Sequence, residues 1–302
     1  MQSLARSPTS PAARSRIEVR RAQKPDMNEE HTVSTVTSKD GTTIGFDRSG
    51  EGPALIVVGG AFQHREIVPP PEEEASAPPA SPASRFTVYQ YDRRGRGESG
   101  DTPPYAVERE IEDIAALIAA AGGSAFVFGG SSGATLALEA ARSGLAITSL
   151  ALYEPPFIVD ASRAPLPRDY VSHLNELIAE GRRGDAVEYF MTAAIGMPAE
   201  AVAQMRQMPM WPGLEAVAHT VPYDGAIMRD TMFGDPAPLK RYASVTVPTL
   251  VMDGGNSPEF MHNGVQALVE VLPHGQRRTV EGQDHGIAPD VLMPILEEYF
   301  LG

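Results

Sequence analysis

Gly129-Gly130-Ser131-Ser132-Gly133 sets a serine among glycines, directly after the apolar run 125–128 and directly before an alanine-rich segment of helical spacing. A strand that stops at Gly-x-Ser-x-Gly and turns at once into a helix is a nucleophile elbow. The sharp turn strains the serine's backbone and brings its neighbours against adjacent strands, so residues without side chains are needed on either side. The hydroxyl then stands at the carboxyl edge of a sheet, and the helix start, Ser132 first, offers free N–H groups to a developing oxyanion. Gly-x-Ser-x-Gly alone also describes an ordinary glycine-rich turn; the strand–turn–helix context is what singles out Ser131. A serine is a weak nucleophile until a base takes its proton, and histidine suits that work near neutrality. The chain has seven histidines.

Four further segments surround this turn in order: Ala54 to Gly60, Tyr91 to Ser99, Val247 to Gly255 and Glu281 to His285. Taken together with 124–133, they resemble the α/β-hydrolase family from about Val33 to the C-terminus. The resemblance implies an α/β fold, a mostly parallel, doubly wound sheet with a helical cap inserted after the strand that follows the nucleophile helix. It makes Ser131 the nucleophile and His285, in a loop between a late strand (277–280) and a final helix (289–300), its base. His31, His64, His173, His219, His262 and His274 are left as surface or cap residues, with His64 and His219 the two that could line the pocket. The oxyanion hole would be the backbone N–H groups of Ser132 and Ala61, with Phe62 as the alternative to Ala61. The orienting acid departs from the family pattern, because its usual place after the strand 249–252 is Ser257. Two carboxylates remain. Glu154 directly follows the strand 149–153, a strand end from which some branches of the family take their acid, and is the expected partner of His285. Asp253, at the end of the later strand, is the alternative. Asp284 adjoins His285 in sequence and should point elsewhere.

Three other patterns could carry chemistry and are read as not doing so. Gly95 to Gly100 matches the dinucleotide pattern Gly-x-Gly-x-x-Gly, but Asp101-Thr102-Pro103-Pro104 follows where a phosphate-binding turn needs a helix. Asp92-Arg93-Arg94 is read as a structural turn. Glu72-Glu73-Glu74 lies on a proline-rich stretch without histidine and is read as a solvated tip, not a metal site. Seven of the twelve methionines fall between Met191 and Met232, beside Phe190, Trp211 and Tyr223. They suit helix packing and a pliable apolar ceiling over the nucleophile equally well. Phe62, Trp211 and Tyr223 are the expected substrate-binding residues.

The elements that must position these groups are legible as short β-branched and aromatic runs separated by glycine and proline. Segments 32–37 and 43–47 flank Asp40-Gly41 as a hairpin, and 55–58 and 86–91 follow as buried strands. A helix over 107–121 carries Ile111, Ile114, Leu117, Ile118 and Ala121 on one face and places Glu108, Glu110, Glu112 and Asp113 early, where the helix dipole favours them. The elbow helix is expected over 132–143. Residues 66–84, rich in proline, are read as a mobile loop in place of the helix the family carries there. The first 26 residues hold six Lys/Arg and almost no large apolar residue, and 1–31 is expected to be a disordered tail. The core is then 32–154 and 223–302, with the cap over 155–222.

At 302 residues, 42% hydrophobic and 21% charged, the chain can bury one full core and an insertion. No run approaches the ~20 apolar residues of a membrane span. A net charge of −14 disfavours nucleic acid and anionic lipid as partners. Without cysteine there is neither disulfide nor thiol nucleophile, which fits a cytoplasmic protein. The expected activity is a cofactor-free serine hydrolase of a small, largely apolar carboxylic ester or lactone, working through an acyl-enzyme. C–C bond hydrolysis, perhydrolysis and a catalytically silent ligand-binding fold are the alternatives, and a homodimer is left open.

Overall fold

Successive side chains of a strand point to opposite faces, so a short run that is apolar throughout needs a cover on both. A computed structural model describes residues 34–65 and 85–302, and in it these runs form one eight-stranded sheet. The strands are β1 (Ser34–Thr37), β2 (Thr43–Ser49), β3 (Ala54–Val58), β4 (Thr87–Tyr91), β5 (Ala125–Gly130), β6 (Ile147–Tyr153), β7 (Thr249–Gly254) and β8 (Gly275–Val280). Their order is β1-β2-β4-β3-β5-β6-β7-β8, antiparallel from β1 to β4 and parallel thereafter. The hairpin turns at Asp40-Gly41: the Asp40 carboxylate accepts the Thr42 N–H at 3.0 Å, and Gly41 takes φ +89°.

Alternation sorts the core into two layers. Ile56, Val58, Val127, Leu150, Leu152 and Val251 face α1 (Val107–Ala120), α2 (Ser132–Arg142) and, further on, α8 (Glu259–Val271). Leu55, Phe128, Ala151, Leu250 and Met252 face the last helix, α9 (Pro289–Leu301), through Ile295, Leu296 and Phe300. Each such aliphatic side chain contributes about 1.5–3 kcal/mol on burial. Between β6 and β7 the chain leaves the sheet for α3 (Tyr170–Ala179), α4 (Arg183–Tyr189), α5 (Ala199–Met205), α6 (Trp211–Val217) and α7 (Val221–Met228). A π-helical turn, Phe190–Ile195, extends α4, and 3-10 turns continue the helical run to Ser244.

Two of the acids early in α1 do more than meet the helix dipole. Glu110 and Asp113 are buried on the same face as Ile114, Leu117 and Ile118, while Ile111 and Ala121 are only partly covered. The cause is the turn after β4, which buries Arg93, Arg94 and Arg96. A guanidinium removed from water needs a carboxylate, so Glu110 takes Arg93 through two bonds of 2.7 Å, and Asp113 takes Arg94 at 2.8 and 2.7 Å. The expected tail (1–31), the proline-rich stretch 66–84 and Glu72 to Glu74 within it lie outside the described residues.

β4 and β5 lie on opposite sides of β3, so the direction of winding reverses there and a crevice opens at the carboxyl ends of the strands. The candidate residues gather at that edge.

Candidate active site

The register of β5 and β6 sets the first two groups. Gly130 pairs with Tyr153, so Ser131 and Glu154 each stand one residue beyond the last paired positions. The Ser131 N–H donates to the Tyr153 carbonyl at 2.9 Å, and the Glu154 N–H to the Met252 carbonyl at 3.0 Å. Both residues turn sharply off their strands, with φ +54° at Ser131 and +47° at Glu154, and such strain concentrates at functional sites. The elbow leaves no room for side chains at Gly129 and Gly133. A Cβ at Gly129 would lie 2.5 Å from the Gly133 carbonyl oxygen, and one at Gly133 2.3 Å from that of Val58.

Glu154 is wholly buried and uses both oxygens. Oε1 accepts the Gly254 N–H at 2.8 Å, and Oε2 lies 2.7 Å from His285 Nδ1. The other ring nitrogen, Nε2, lies 3.1 Å from Ser131 Oγ. The loop that carries His285 is tied to the sheet: Gly255 and Asn256 donate to the Val280 and Gln283 carbonyls, each at 2.9 Å, and the Tyr153 hydroxyl donates to the Asp284 carbonyl. The Asp284 side chain accepts the Gly286 N–H at 2.9 Å, within its own loop. Asp253 is also fully buried, but it faces away from His285, towards His262 Nδ1 (2.5 Å), Arg277 (2.7 Å) and Thr279 (2.9 Å). Burial works against its charge, yet hydrogen bonds from Arg277, His262 and Thr279 outweigh it and hold the carboxyl below its ordinary value. Ser257 is buried, and its hydroxyl has no partner among the described residues.

Ala61 and Ser132 both border the cavity that Ser131 faces. Ser132 opens α2, where the first N–H groups have no preceding helical carbonyl. Gly60 packs tightly on the elbow, since a Cβ there would come 3.0 Å from that of Ser131. The Gly60 carbonyl accepts Arg96 Nη1 at 2.5 Å. Arg96 also meets Asp224 of α7 at 2.7 Å, and Asp224 in turn takes Arg93 at 2.6 Å and the Ser132 hydroxyl at 2.7 Å. Burial opposes the Asp224 charge, but Arg96 and Arg93 hold its carboxyl below the ordinary value. This buried network joins the Gly60 loop, the elbow helix and the α7 helix, and sequence reasoning missed it. The signal was present: three arginines within 93–96 need buried acids, and Asp224 is the one acid in the otherwise apolar or small segment 221–228.

Two cavities meet at Ser131 and His285. One, of about 190 Å³, is walled by α3, α7, α8 and the π-helical turn, with Ile158, Met228, Met232 and Met261 among its apolar residues. The other, of about 480 Å³, lies beside the 59–63 loop, with Phe62, Phe128, Met191 and Leu292 in its wall. Of the expected substrate-binding residues, Phe62 lines the second cavity and packs edge-on against Phe190 at 5.1 Å. Trp211 and Tyr223 line neither, a correction to the expectation. Trp211 is buried among the helices, its Nε1 donating to Glu215 at 2.8 Å, and Tyr223 stacks on Tyr105 at 3.8 Å and donates to Asp101 at 2.7 Å. Each finds its polar partner inside the protein, away from the crevice. The methionine cluster divides too: Met228, Met232 and Met191 reach the cavities, while Met208 and Met210 are exposed.

At Gly95 to Gly100 the chain closes a turn, Gly95 N–H to the Gly100 carbonyl at 3.0 Å, and the next helix, α1, starts only at Val107. No group of side chains suited to hold a metal ion is found among the described residues, and none of their helices is long and apolar enough to cross a membrane.

Residues 73–294 match the family model described as the alpha/beta hydrolase family. An alpha/beta hydrolase from Sphaerobacter thermophilus, of known crystal structure, is 57% identical with a TM-score of 0.77, over 88% of this chain and 99% of that one. An esterase from a Rhodococcus species (19% identity, TM-score 0.56, 89% of this chain and 98% of that one) shares the fold. So does 2-hydroxy-6-oxo-6-phenylhexa-2,4-dienoate hydrolase from Rhodococcus strain RHA1 (18%, 0.57, 90% and 100%). No curated protein matches the chain. With its family model spanning most of the sequence and a 57% identical relative aligned almost end to end, the chain belongs to the alpha/beta hydrolase family.

Proposed function

We propose that the protein is a serine hydrolase of small carboxylic esters, with Ser131 as nucleophile, His285 as base and Glu154 as orienting acid. The observation that carries this reading is the unbroken contact chain Ser131 Oγ–His285 Nε2 (3.1 Å) and His285 Nδ1–Glu154 Oε2 (2.7 Å) at the rim of two cavities. With Glu154 accepting from Nδ1–H, Nε2 is left as the proton acceptor facing the hydroxyl. His285 takes the Ser131 proton as Oγ attacks the ester carbonyl. The oxyanion that forms is stabilised by the N–H groups of Ser132 and Ala61, and His285 then gives the proton to the leaving alcohol. Water, deprotonated by the same nitrogen, hydrolyses the acyl-enzyme. No step calls on a cofactor.

The Arg96–Asp224–Ser132 network holds both sides of that oxyanion site from below, fixing the Gly60 carbonyl and the start of α2. The helices after Pro155 act as the cap, and the apolar wall of the 190 Å³ cavity suits a short acyl or alcohol group. The test is labelling with a fluorophosphonate followed by mass analysis of the modified peptide. Label on Ser131 that is lost in Ser131→Ala supports the reading. An unlabelled, properly folded protein would make it a silent fold.

A further inference from the structure

The 190 Å³ cavity beside Ser131 is walled mainly by aliphatic, methionine and aromatic side chains, yet Arg163 belongs to its lining. The guanidinium carbon lies 4.7 Å over the Phe260 ring, and Nη2 donates to the carbonyls of Ala193 (3.2 Å) and Ala194 (2.5 Å) at the end of the π-helical turn. Phe260 and Ala194, both touched by the guanidinium, line the same cavity. No described carboxylate pairs with it. The acid that shares the wall, Asp224, is committed to Arg93, Arg96 and Ser132. Burial pulls the Arg163 guanidinium below its ordinary basicity, with only Tyr170 as a nearby titrating group to offset it. That contrasts with Arg93 and Arg94, whose carboxylates raise theirs.

Tyr170 supplies a second, independent observation. It is 2% exposed and lines the same cavity, and its hydroxyl hydrogen-bonds to no described residue. A half-buried cation without a described counter-charge, beside a hydroxyl that no described residue accepts, leaves both groups with donors free for a ligand in an otherwise apolar wall. Peptide carbonyls satisfy one nitrogen of Arg163 and leave the planar fork able to present further N–H donors.

We infer that Arg163 and Tyr170 form a carboxylate-binding subsite, and that the substrate is a small ester bearing a free carboxylate remote from its scissile carbonyl. Arg163 takes the carboxylate through its remaining donors, Tyr170 donates to the same group, and the methionine-rich wall holds the short carbon spacer. The rim of Ser131 and His285 then receives the ester.

The substrate assignment rests on the proposed hydrolase reading, so the test has one arm that needs no turnover. Binding of glutarate is measured by calorimetry on wild type, Arg163→Met and Tyr170→Phe, each checked for an unchanged melting transition. Saturable binding weakened at least tenfold in Arg163→Met and severalfold in Tyr170→Phe supports the subsite; equal affinity in all three overturns it. Should Arg163→Met fail to fold because the π-helical turn loses its tie, Tyr170→Phe and Arg163→Lys decide, since both keep the neighbouring packing. The turnover arm compares 4-nitrophenyl hydrogen glutarate with 4-nitrophenyl valerate, and 4-acetoxybenzoate with its methyl ester. A kcat/KM ratio favouring the acid in either pair, reduced about tenfold or more in Arg163→Met, supports the inference. Ratios unchanged by the substitution overturn it. Loss of Ser131 labelling with glutarate binding intact would sink the hydrolase reading alone.

Discussion

Glu154 directly follows β6, and Asp253 is the last residue but one of the neighbouring β7. Both carboxylates are wholly buried, and each lies against the Nδ1 of a histidine, Glu154 with His285 at 2.7 Å and Asp253 with His262 at 2.5 Å. The pairs differ in what surrounds them. Glu154 shares its second oxygen with a backbone N–H, and its histidine continues to Ser131 at the mouth of two cavities. Asp253 meets Arg277 and Thr279 as well, so its charge is neutralised in place, and His262 lines neither cavity. A histidine–carboxylate contact is therefore not a site by itself. What singles out one of these pairs as the proposed catalytic one is a strained strand end next to Ser131 and an opening for a substrate.

Substitutions at the two ends test that contrast. Ser131→Ala should have the largest effect, lowering kcat for a small aryl ester by about 10⁴–10⁶-fold with an unchanged melting temperature. Glu154→Gln should follow, with kcat down about 10²–10⁴-fold, because an amide at that position can donate to Nδ1 and favours the wrong tautomer of His285. Comparable losses from Glu154→Gln and Asp253→Asn would erase the distinction. Asp224→Asn lies between: it removes the negative charge that Arg93 and Arg96 share and leaves one amide oxygen for the two of them, at a cost of about 2–4 kcal/mol in stability. The same change should lower kcat about tenfold by loosening the Gly60 loop and the Ser132 turn, as small misplacements do. Thermal melts and steady-state kinetics on one preparation separate the two effects.

Much of this arrangement was legible in the residues. Short β-branched and aromatic runs and the glycine spacing around Ser131 are local signals, and they placed β3 to β7, α2 and the elbow within a residue or two. The order of the His285 loop and the odd Ser257 pointed to Glu154 through the family resemblance, and the 2.7 Å contact fits that expectation. The interior of the helical insertion was not legible. Whether Trp211 or Arg163 reaches the cavity depends on how short helices cross, which no periodicity encodes. The partners of Glu110 and Asp113 were not legible for a related reason. An acid in the first turns of a helix satisfies the dipole equally well whether it faces water or a buried arginine, and only the tertiary partner decides.

The smallest effect on turnover is expected at Asp253, and it is the most direct test of the comparison. Asp253→Asn removes a charge that Arg277, His262 and Thr279 share, but nothing on that side touches Ser131 or His285, so kcat/KM should stay within about twofold. Stability should fall by about 1–3 kcal/mol, less than for a fully buried pair, because Arg277 and His262 keep part of their surface in water and can be solvated when the carboxylate is gone. For a chain of this size that is roughly 2–6 °C in melting temperature. The pH dependence has a definite sign. The folded carboxyl is held below its ordinary value, so its contribution is fully present above the unfolded value of about 3.9 and is lost as pH falls towards the folded one. The difference between wild type and Asp253→Asn, measured by urea unfolding, should therefore be constant from neutrality down to about pH 5 and shrink below that. A difference that grew on acidification would mean that Asp253 is not held as an anion by these partners. A large loss of turnover would move the orienting acid to β7.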